Sequence, residues 1–251
     1  MIGHTPHDYA HLQERWKRLA SDAGLAISTL AVTTGGEPVM AIESWNGPPD
    51  TLYLSAGIHG DECAAVWGLL HWAEQNAASL KELPLLLFPC LNPDGFLQNT
   101  RTDADGHDLN RTVSDQSIAV VAAWHNLLQK LRFSRCLHLH EDYDALGIYV
   151  YELNDAPGLG RKILDSCSHH IPADPRPSID GETFDQGLFI RNSGEVRRLL
   201  AGTELEGAEP VQLLLRNTGV SITFETPSEL DLGLRIVAHV TAIETFVADW
   251  Y

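Results

Sequence analysis

The order of apolar and polar residues predicts helices and strands from the start of the chain. Apolar side chains recur at helical spacing in residues 8–23, and Gly24 directly after them is typical of a helix C-cap. Two apolar stretches, residues 25–32 and 39–43, flank the turn sequence TTGGEP and predict a β-hairpin. Residues 46–50 (NGPPD) predict a second turn.

From residue 51 onward, predicted strands alternate with predicted helices. Strands are predicted at residues 51–56, 85–90, 136–140, 147–151, 211–215 and 220–225. Helices are predicted at residues 62–76, 114–131, 157–169 and 230–249. Residues 92–111 are polar, without a period, and predict a long loop, which in a compact domain is typically functional. Residues 172–190 have no legible period.

This alternation is typical of an α/β fold with helices on both faces of one open sheet. The opening hairpin adds an antiparallel edge to a mainly parallel centre, so we predict a mixed sheet. No linker or repeat interrupts the chain, and residues 1–251 are predicted to form a single domain. Ligands of such sheets bind beyond the carboxyl ends of the strands. The chain places polar residues at or just past predicted strand ends: His59, Asn92, His140 and Glu225.

Composition narrows the function without specifying it. Acidic residues outnumber basic ones by 34 to 17 and give a net charge of −17, which disfavours nucleic acid and anionic membranes as partners. The sequence has no apolar run of membrane-spanning length and no signal-peptide pattern, so we expect a cytoplasmic location. Widely spaced cysteines predict reduced, mostly buried thiols at Cys63, Cys90, Cys136 and Cys167.

Three residues have the donor atoms and positions for a metal site. His59 and Glu62 follow a predicted strand and open the next helix, and Gly60 between them permits a sharp turn. Their imidazole and carboxylate can reach one ion, although Glu62 equally fits a first-turn acid favoured by the helix dipole. His138 and His140 share one face of the strand predicted at residues 136–140. His140 is nearer the carboxyl end and is the better candidate, with His138 as a partly buried neighbour.

Further polar residues offer the other groups that a hydrolase needs. Glu225 ends an apolar strand and is a candidate general base; a strand-end Glu paired with an Arg is the alternative. Arg101, Asn110 and Arg111 lie in the long loop, where they can clamp a substrate carboxylate and polarise a carbonyl oxygen. A turn-rich loop with structural Asp–Arg pairs is the competing interpretation.

The order of the motifs HGDE, NPDG, a following Arg, DLNR, LHE and TFE resembles the zinc metallocarboxypeptidases of the carboxypeptidase A type, over nearly the whole chain. The resemblance implies a three-layer α/β/α sandwich on a mixed, eight-stranded sheet, in a short, bacterial-type intracellular member. It implies one Zn²⁺ ion bound by His59, Glu62 and His140. It also implies that Glu225 is the general base and that Arg101 stabilises the oxyanion.

In the same resemblance, Asn110 and Arg111 anchor the terminal carboxylate of the substrate. The first hypothesis is a metallocarboxypeptidase that releases a C-terminal residue from a peptide, such as a cell-wall peptide. The alternative is an aspartoacylase/succinylglutamate desuccinylase-like hydrolase of N-acyl amino acids. A non-catalytic zinc-containing binding protein is the third hypothesis.

The chain departs from the digestive-type enzymes at one tyrosine. Those enzymes carry a Tyr on a mobile loop between the third ligand and the general base, whereas here no Tyr lies between Tyr151 and Tyr251. Tyr143, Tyr149 and Tyr151 are the candidate substitutes.

Two further groups keep open interpretations. Glu141, Asp142 and Asp144 follow the third predicted ligand and predict a solvated acidic turn. A second ion, or outer-shell support for the histidine, is the alternative. Arg191 and Arg216 either bind a side-chain carboxylate of the substrate or are surface cations.

Overall fold

The computed structural model describes residues 5–44, 51–200 and 208–248; the turn predicted at residues 46–50 lies outside these ranges. The helices are α1 (Tyr9–Ala23), α2 (Cys63–Gln75), α3 (Pro93–Gln98), α4 (Ala119–Leu128), α5 (Leu159–Cys167), α6 (Ser193–Leu200), α7 (Glu209–Arg216) and α8 (Leu232–Ala248). The strands are β1 (Ala26–Val32), β2 (Pro38–Glu43), β3 (Thr51–Ala56), β4 (Leu85–Phe88), β5 (Phe133–Asp142), β6 (Tyr149–Asn154), β7 (Ser178–Ile179), β8 (Glu182–Thr183), β9 (Leu188–Arg191) and β10 (Val220–Pro227).

Eight of these strands form one mixed sheet in the order β1-β2-β4-β3-β5-β10-β6-β9. The central strands β4, β3, β5 and β10 run parallel to one another. β1 and β2 form the predicted antiparallel hairpin at one edge, and β6 is antiparallel to β10. The predicted mixed, eight-stranded sheet is therefore confirmed. Because the four central strands point the same way, their carboxyl ends meet at one edge of the sheet.

Helices cover both faces of the sheet and complete the predicted α/β/α sandwich. On one face, α1, α2, α5 and α8 pack on the strands around Trp16, Trp67 and Phe246. On the other face, α4 packs around Trp124, and α6 and α7 cover the β6–β9 end. The four cysteines are free and buried, as expected. No helix in the described ranges has both the length and the apolar character needed to cross a membrane.

One predicted strand is wrong. Residues 211–215 belong to α7, in which Leu213 and Leu214 are buried while Arg216 is exposed. Pro210 lies in the first turn, where proline is preorganised for a helix. The period of so short an apolar run does not distinguish a strand from a buried helix, so the misassignment has a physical cause.

Two irregular segments are not described by the apolar period. The helix predicted from residue 114 begins at Ala119, because Asp115 accepts a hydrogen bond from the backbone N of Ser117 at 2.9 Å in a local turn. Residues 172–190 contain the short β7–β8 hairpin and the start of β9. Hydrogen bonds, rather than an apolar period, define both segments.

Candidate active site

The polar residues predicted at strand ends reach one edge of the sheet. β3 ends at Ala56 and leads to His59, and Glu62 is the N-cap of the following helix, α2. β5 carries His140 two residues before its end. β10 carries Glu225, which is the register partner of His140. The parallel centre of the sheet thus brings these side chains together.

Glu62 lies between the two histidines. Its Oε1 is 2.5 Å from Nδ1 of His59, and its Oε2 is 2.9 Å from Nδ1 of His140. The second contact lacks hydrogen-bond geometry, so Oε2 is a buried carboxylate oxygen without a hydrogen-bond donor among the described residues. One donor atom from each residue lies within 4.8 Å of the other two. Two imidazole nitrogens and a carboxylate oxygen in this arrangement fit a catalytic zinc site.

The charges of this group depend on one another. Burial alone would raise the pKa of Glu62, but His59 and His140 outweigh it and lower the pKa to about 2. Burial would lower the pKa of His59, but Glu62 and Asp108 raise it to about 9. The carboxylate is therefore stable as an anion only beside positive charge, which protons or a bound cation supply.

Asp108 lies next to the ring nitrogen of His59 that faces away from Glu62, without hydrogen-bond geometry to it. Its Oδ1 is 3.3 Å from Nε2 of His59, and its Oδ2 accepts a hydrogen bond from Nε of Arg101 at 2.8 Å. A carboxylate on the outer nitrogen fixes the orientation of a ligating imidazole. The sequence did not predict this contact, although Asp108 opens the DLNR motif. The signal for it was an acid in a motif that also carries the predicted substrate ligands.

Gly60 is needed for a close approach rather than for the predicted turn. It has no positive φ, but a Cβ at this position would lie 1.9 Å from the carbonyl carbon of Gly95. Any other residue would push the loop that carries His59 away from the segment at Gly95. The glycine therefore maintains the contact between these two motifs.

The NPDG motif positions Arg101. Asn92 caps α3, a helix inside the predicted loop, by accepting a hydrogen bond from the backbone N of Gly95 at 2.9 Å. Its Nδ2 donates to the carbonyl oxygen of Arg101 at 3.2 Å. The Arg101 side chain donates only through Nε within the described ranges, which leaves its terminal nitrogens available to a substrate.

Asn110 and Arg111 differ in how firmly they are bound. Oδ1 of the buried Asn110 accepts a hydrogen bond from the backbone N of Glu209 at 2.9 Å, so its Nδ2 is the group left to donate. Arg111 is exposed and makes no side-chain hydrogen bond or ion pair with any residue that the structure describes. Both residues line the cleft described below, as a carboxylate-binding pair requires.

Glu225 lies half-buried in the wall of the cleft, and its pKa is raised above the usual value of a carboxyl group. Burial raises its pKa, and the nearby carboxylates of Glu62 and Asp142 raise it further; His140 opposes them, and the pKa reaches about 8. A catalytic base works best when its pKa lies near the operating pH. Glu225 has no Arg partner among the described residues, so the alternative of a structural Glu–Arg pair is not supported.

One cleft contains all of the predicted site residues. Its volume is about 1020 Å³, which is enough for a ligand larger than a single amino acid. The predicted residues on its walls are His59, Glu62, Arg101, Asn110, Arg111, His140 and Glu225. Their roles remain predictions, but the fold brings every one of them to the same cavity.

Comparison with known proteins agrees with this arrangement at two levels. Residues 48–142, less than half of the chain, match the family model of the succinylglutamate desuccinylase/aspartoacylase catalytic domain. A search of curated proteins gives no match. A candidate metallopeptidase from Shewanella amazonensis superposes with a TM-score of 0.83 and 24% identity, over 97% of this chain and 94% of that chain.

Two further solved structures share the architecture. A metallo-carboxypeptidase from Burkholderia cenocepacia superposes with a TM-score of 0.70 and 15% identity, over 97% of this chain and 70% of that chain. A murein-tripeptide amidase from Escherichia coli O157 does so with a TM-score of 0.60 and 16% identity, over 92% and 96%. The chain has a zinc carboxypeptidase-like fold. The resemblance predicted from the motifs is thereby confirmed.

Within this carboxypeptidase-like fold, the acidic run after His140 differs from its prediction. β5 continues to Asp142, two residues beyond the predicted strand end, and Glu141 is buried. Its carboxylate accepts hydrogen bonds from the backbone N of Ala64 and from Arg235. A solvated turn is therefore wrong for Glu141.

The candidate tyrosines line the carboxypeptidase-like cleft in two different states. Tyr149 donates its hydroxyl hydrogen to Asp142 at 3.0 Å, and Tyr151 donates to Asp180 at 3.1 Å. Tyr143 is 70% exposed at the mouth of the cleft. That one of them takes the place of the mobile-loop phenol of the digestive-type enzymes stays a prediction. Tyr143 is the one whose hydroxyl is not held by a neighbouring acid among the described residues.

Arg191 and Arg216, whose roles the sequence leaves open, lie in different parts of the structure. Arg191 lines the cleft, but its guanidinium is paired with Glu182 at 2.7 Å and lies over the ring of Phe189. Arg216 lies outside the cleft, at the exposed end of α7. Arg191 alone of the two remains in reach of a substrate.

A second group of potential metal ligands lies in the loop before Asp108. Asp103, Asp105 and His107 also place donor atoms within 4.8 Å of one another. Unlike the group at the sheet edge, these side chains are partly or fully exposed, and Asp103 already accepts hydrogen bonds from both neighbours. This group is the competitor against which the proposed metal site must be tested.

Proposed function

We propose that the protein is a zinc-dependent amide hydrolase, a metallocarboxypeptidase that releases the C-terminal residue of a peptide. One observation carries the proposal: three metal-ligand candidates, a candidate general base and the two arginines Arg101 and Arg111 lie in one cleft. The metallopeptidase-like solved structures support the coarser assignment as a hydrolase. Residues 1–251 together are proposed to form the single catalytic domain.

The proposed roles follow from position and chemistry. His59, Glu62 and His140 would hold the zinc ion, which when bound supplies Lewis acidity toward a carbonyl group and water. Glu225 takes a proton from the attacking water and passes it to the leaving amine. Arg101 stabilises the negative charge that develops on the carbonyl oxygen.

Substrate orientation is assigned to Asn110 and Arg111. The guanidinium of Arg111 binds the terminal carboxylate, and Nδ2 of Asn110 donates to the same group. A substrate without this carboxylate lacks the interaction that aligns its scissile bond. The pair thus gives the enzyme its preference for the end of a chain.

Hydrolysis of N-acyl amino acids is the second candidate. The match of residues 48–142 to the succinylglutamate desuccinylase/aspartoacylase domain favours it, and such substrates also carry a free carboxylate. The cleft volume of about 1020 Å³ exceeds what a small N-acyl amino acid fills and favours a peptide. The structural likeness to a murein-tripeptide amidase makes cell-wall peptides the first substrates to test.

The experiment measures released amine from zinc-loaded and metal-depleted protein on a matched panel. The panel contains a murein-type tripeptide, unrelated peptides with free and amidated C-termini, and N-acyl amino acids. We expect zinc-dependent release of the C-terminal residue from peptides with a free carboxylate. Turnover of N-acyl amino acids alone would support the second candidate, and no turnover of any amide would support a non-catalytic zinc-binding protein.

A further inference from the structure

The N-terminus of α2 lacks the cap that its sequence position suggests. Glu62 is the N-cap residue, but its carboxylate faces His59 and His140 and makes no side-chain bond to the helix. The first N–H groups of an α-helix have no acceptor within the helix, and an N-cap side chain normally accepts from one of them. An acceptor from elsewhere in the fold has to replace Glu62.

Glu141 provides that acceptor. Its Oε1 is 2.6 Å from the backbone N of Ala64, the second residue of α2. Successive residues of a strand point to opposite faces. Glu141 therefore shares the face of Leu139, which packs in the core that contains α2 and α8, while His140 points the other way. The side chain of Glu141 is fully buried, so it caps the helix from inside the protein.

Arg235 of α8 binds the same carboxylate. Its Nη1 donates to Oε2 of Glu141, and its Nε donates to the carbonyl oxygen of Leu230 at 2.9 Å. Thr226, which follows Glu225 on β10, has its Oγ1 3.5 Å from Oε2. One buried carboxylate thus links the starts of α2 and α8 to the ends of β5 and β10.

We propose that Glu141 is a positioning residue for the metal site, because it replaces Glu62 as the N-cap of α2 and fixes the separation between His140 and the His59–Glu62 pair. Because the carboxylate of Glu62 is turned to the histidines, the start of its helix needs another acceptor, and Glu141 supplies it. The inference rests on the metal site of the proposed function.

Glu152 offers a matched control, since it caps a helix in the same way outside the cleft. It is fully buried on β6, and its carboxylate accepts from the backbone N of Gly158, Leu159 and Gly160 at 3.0–3.2 Å. The helix that it caps, α5, has no side-chain cap of its own. Truncation of either glutamate removes a helix cap, but only Glu141 adjoins a predicted ligand.

The test measures the affinity of metal-depleted protein for Zn²⁺ by competition with a chromophoric chelator. Glu141→Ala is expected to bind Zn²⁺ about tenfold more weakly than the wild type, the lower end of the loss seen when a direct hydrogen-bond partner of a ligand is removed, because Glu141 acts on Glu62 through the backbone of α2. Glu152→Ala is expected to keep the affinity of the wild type, although both variants lower the melting temperature. Equal Zn²⁺ affinities of the two variants would overturn the proposal.

A second pair of variants distinguishes the hydrogen bond of Glu141 to the backbone of α2 from its ion pair with Arg235. Arg235→Met removes the charge that would otherwise stay buried without its partner. In that background Glu141→Gln keeps an oxygen that accepts from Ala64, whereas Glu141→Leu fills the same space without an acceptor. Glu141→Gln is expected to bind Zn²⁺ about tenfold more tightly than Glu141→Leu.

Equal Zn²⁺ affinities of Glu141→Gln and Glu141→Leu in the Arg235→Met background would also overturn the proposal. If Glu141→Ala does not fold, these two variants are the test. Affinity is read without substrate, so a zinc-loaded wild type without turnover would contradict the proposed function alone. A wild type that binds no Zn²⁺ would overturn both the inference and the metal site.

Discussion

His138 and His140 lie two residues apart on the same face of β5, yet their surroundings suit opposite roles. Both ring nitrogens of the fully buried His138 lie 3.1 Å from hydroxyl oxygens, those of Ser55 and Ser221. Nδ1 of His138 also lies 3.4 Å from a carboxylate oxygen of Glu209, as Nδ1 of His140 lies 2.9 Å from one of Glu62, and neither oxygen has a hydrogen-bond donor among the described residues. The difference is that no hydroxyl group among the described residues hydrogen-bonds a ring nitrogen of His140. A histidine whose two nitrogens are both hydrogen-bonded has none left for an ion. Depth within the sheet therefore separates a packing histidine from a candidate ligand.

The largest expected effect is a loss of turnover on substitution of Glu225, at the edge of the sheet. Glu225→Gln is expected to lower kcat by about 10²–10⁴-fold, because it removes the general base, while the zinc content stays at that of the wild type. The hydroxyl of Ser221, four residues earlier on the same strand, hydrogen-bonds the core histidine His138, so Ser221→Ala is expected to leave kcat unchanged. Initial rates and elemental analysis measure both quantities. A Glu225→Gln variant as active as the wild type would exclude Glu225 as the base.

Replacing His138 and His140 with alanine, one at a time, tests directly which of them is the metal ligand. His140→Ala is expected to weaken Zn²⁺ binding more than roughly 100-fold, beyond the cost of an outer-shell change. His138→Ala is expected to keep the Zn²⁺ affinity but to lower the free energy of unfolding by about 2–4 kcal/mol, because it leaves a cavity and unpaired hydroxyl groups. Chelator competition and urea denaturation read the two effects. The reverse pattern would make His138 the ligand.

Arg111→Ala is expected to act on substrate binding. A charge-assisted hydrogen bond contributes about 1.5–3 kcal/mol, so KM for peptides with a free carboxylate should rise roughly 10–100-fold. Amidated peptides should keep their KM. Arg216→Ala, outside the cleft, is the control and should change neither value. Equal effects of Arg111→Ala on both substrate types would count against the carboxylate anchor.

The last prediction concerns stability alone, through a third buried histidine, His239 of α8. Burial, aided by Arg235, lowers its pKa to about 3, so the folded state binds fewer protons than the unfolded state below pH 6.5. Its contribution to stability is therefore present above pH 6.5 and is lost toward pH 3, by about 1.4 kcal/mol per pH unit. The difference in free energy of unfolding between the wild type and His239→Gln should follow this slope. Parallel pH curves for the two proteins would show that His239 does not titrate in this way.

Much of the site could be predicted because strand ends are visible as breaks in apolar runs. His59, His140 and Glu225 lie at the same edge, as expected for parallel strands. The partners of these residues were not predictable, since they come from other segments. Asp108 meets His59 across a loop, and the period of the sequence carries no information about such contacts.

The burial of Glu141 was also not predictable from the sequence pattern. Three acids in four residues are typical of a solvated turn, and the apolar pattern ends at His140. Backbone pairing with β10 extends β5 by two residues and buries Glu141 beneath α2. A strand end set by its neighbour's hydrogen bonds cannot be read from side-chain character, and the same holds for α7, whose short apolar run predicted a strand.

Diffraction from crystals of zinc-loaded protein at the zinc absorption edge tests the central claim most directly. We predict one strong anomalous peak between His59, Glu62 and His140, with ligand distances of about 2.0–2.2 Å. A peak confined to the loop group of Asp103 and its two neighbours, or none at the sheet edge, would contradict the account.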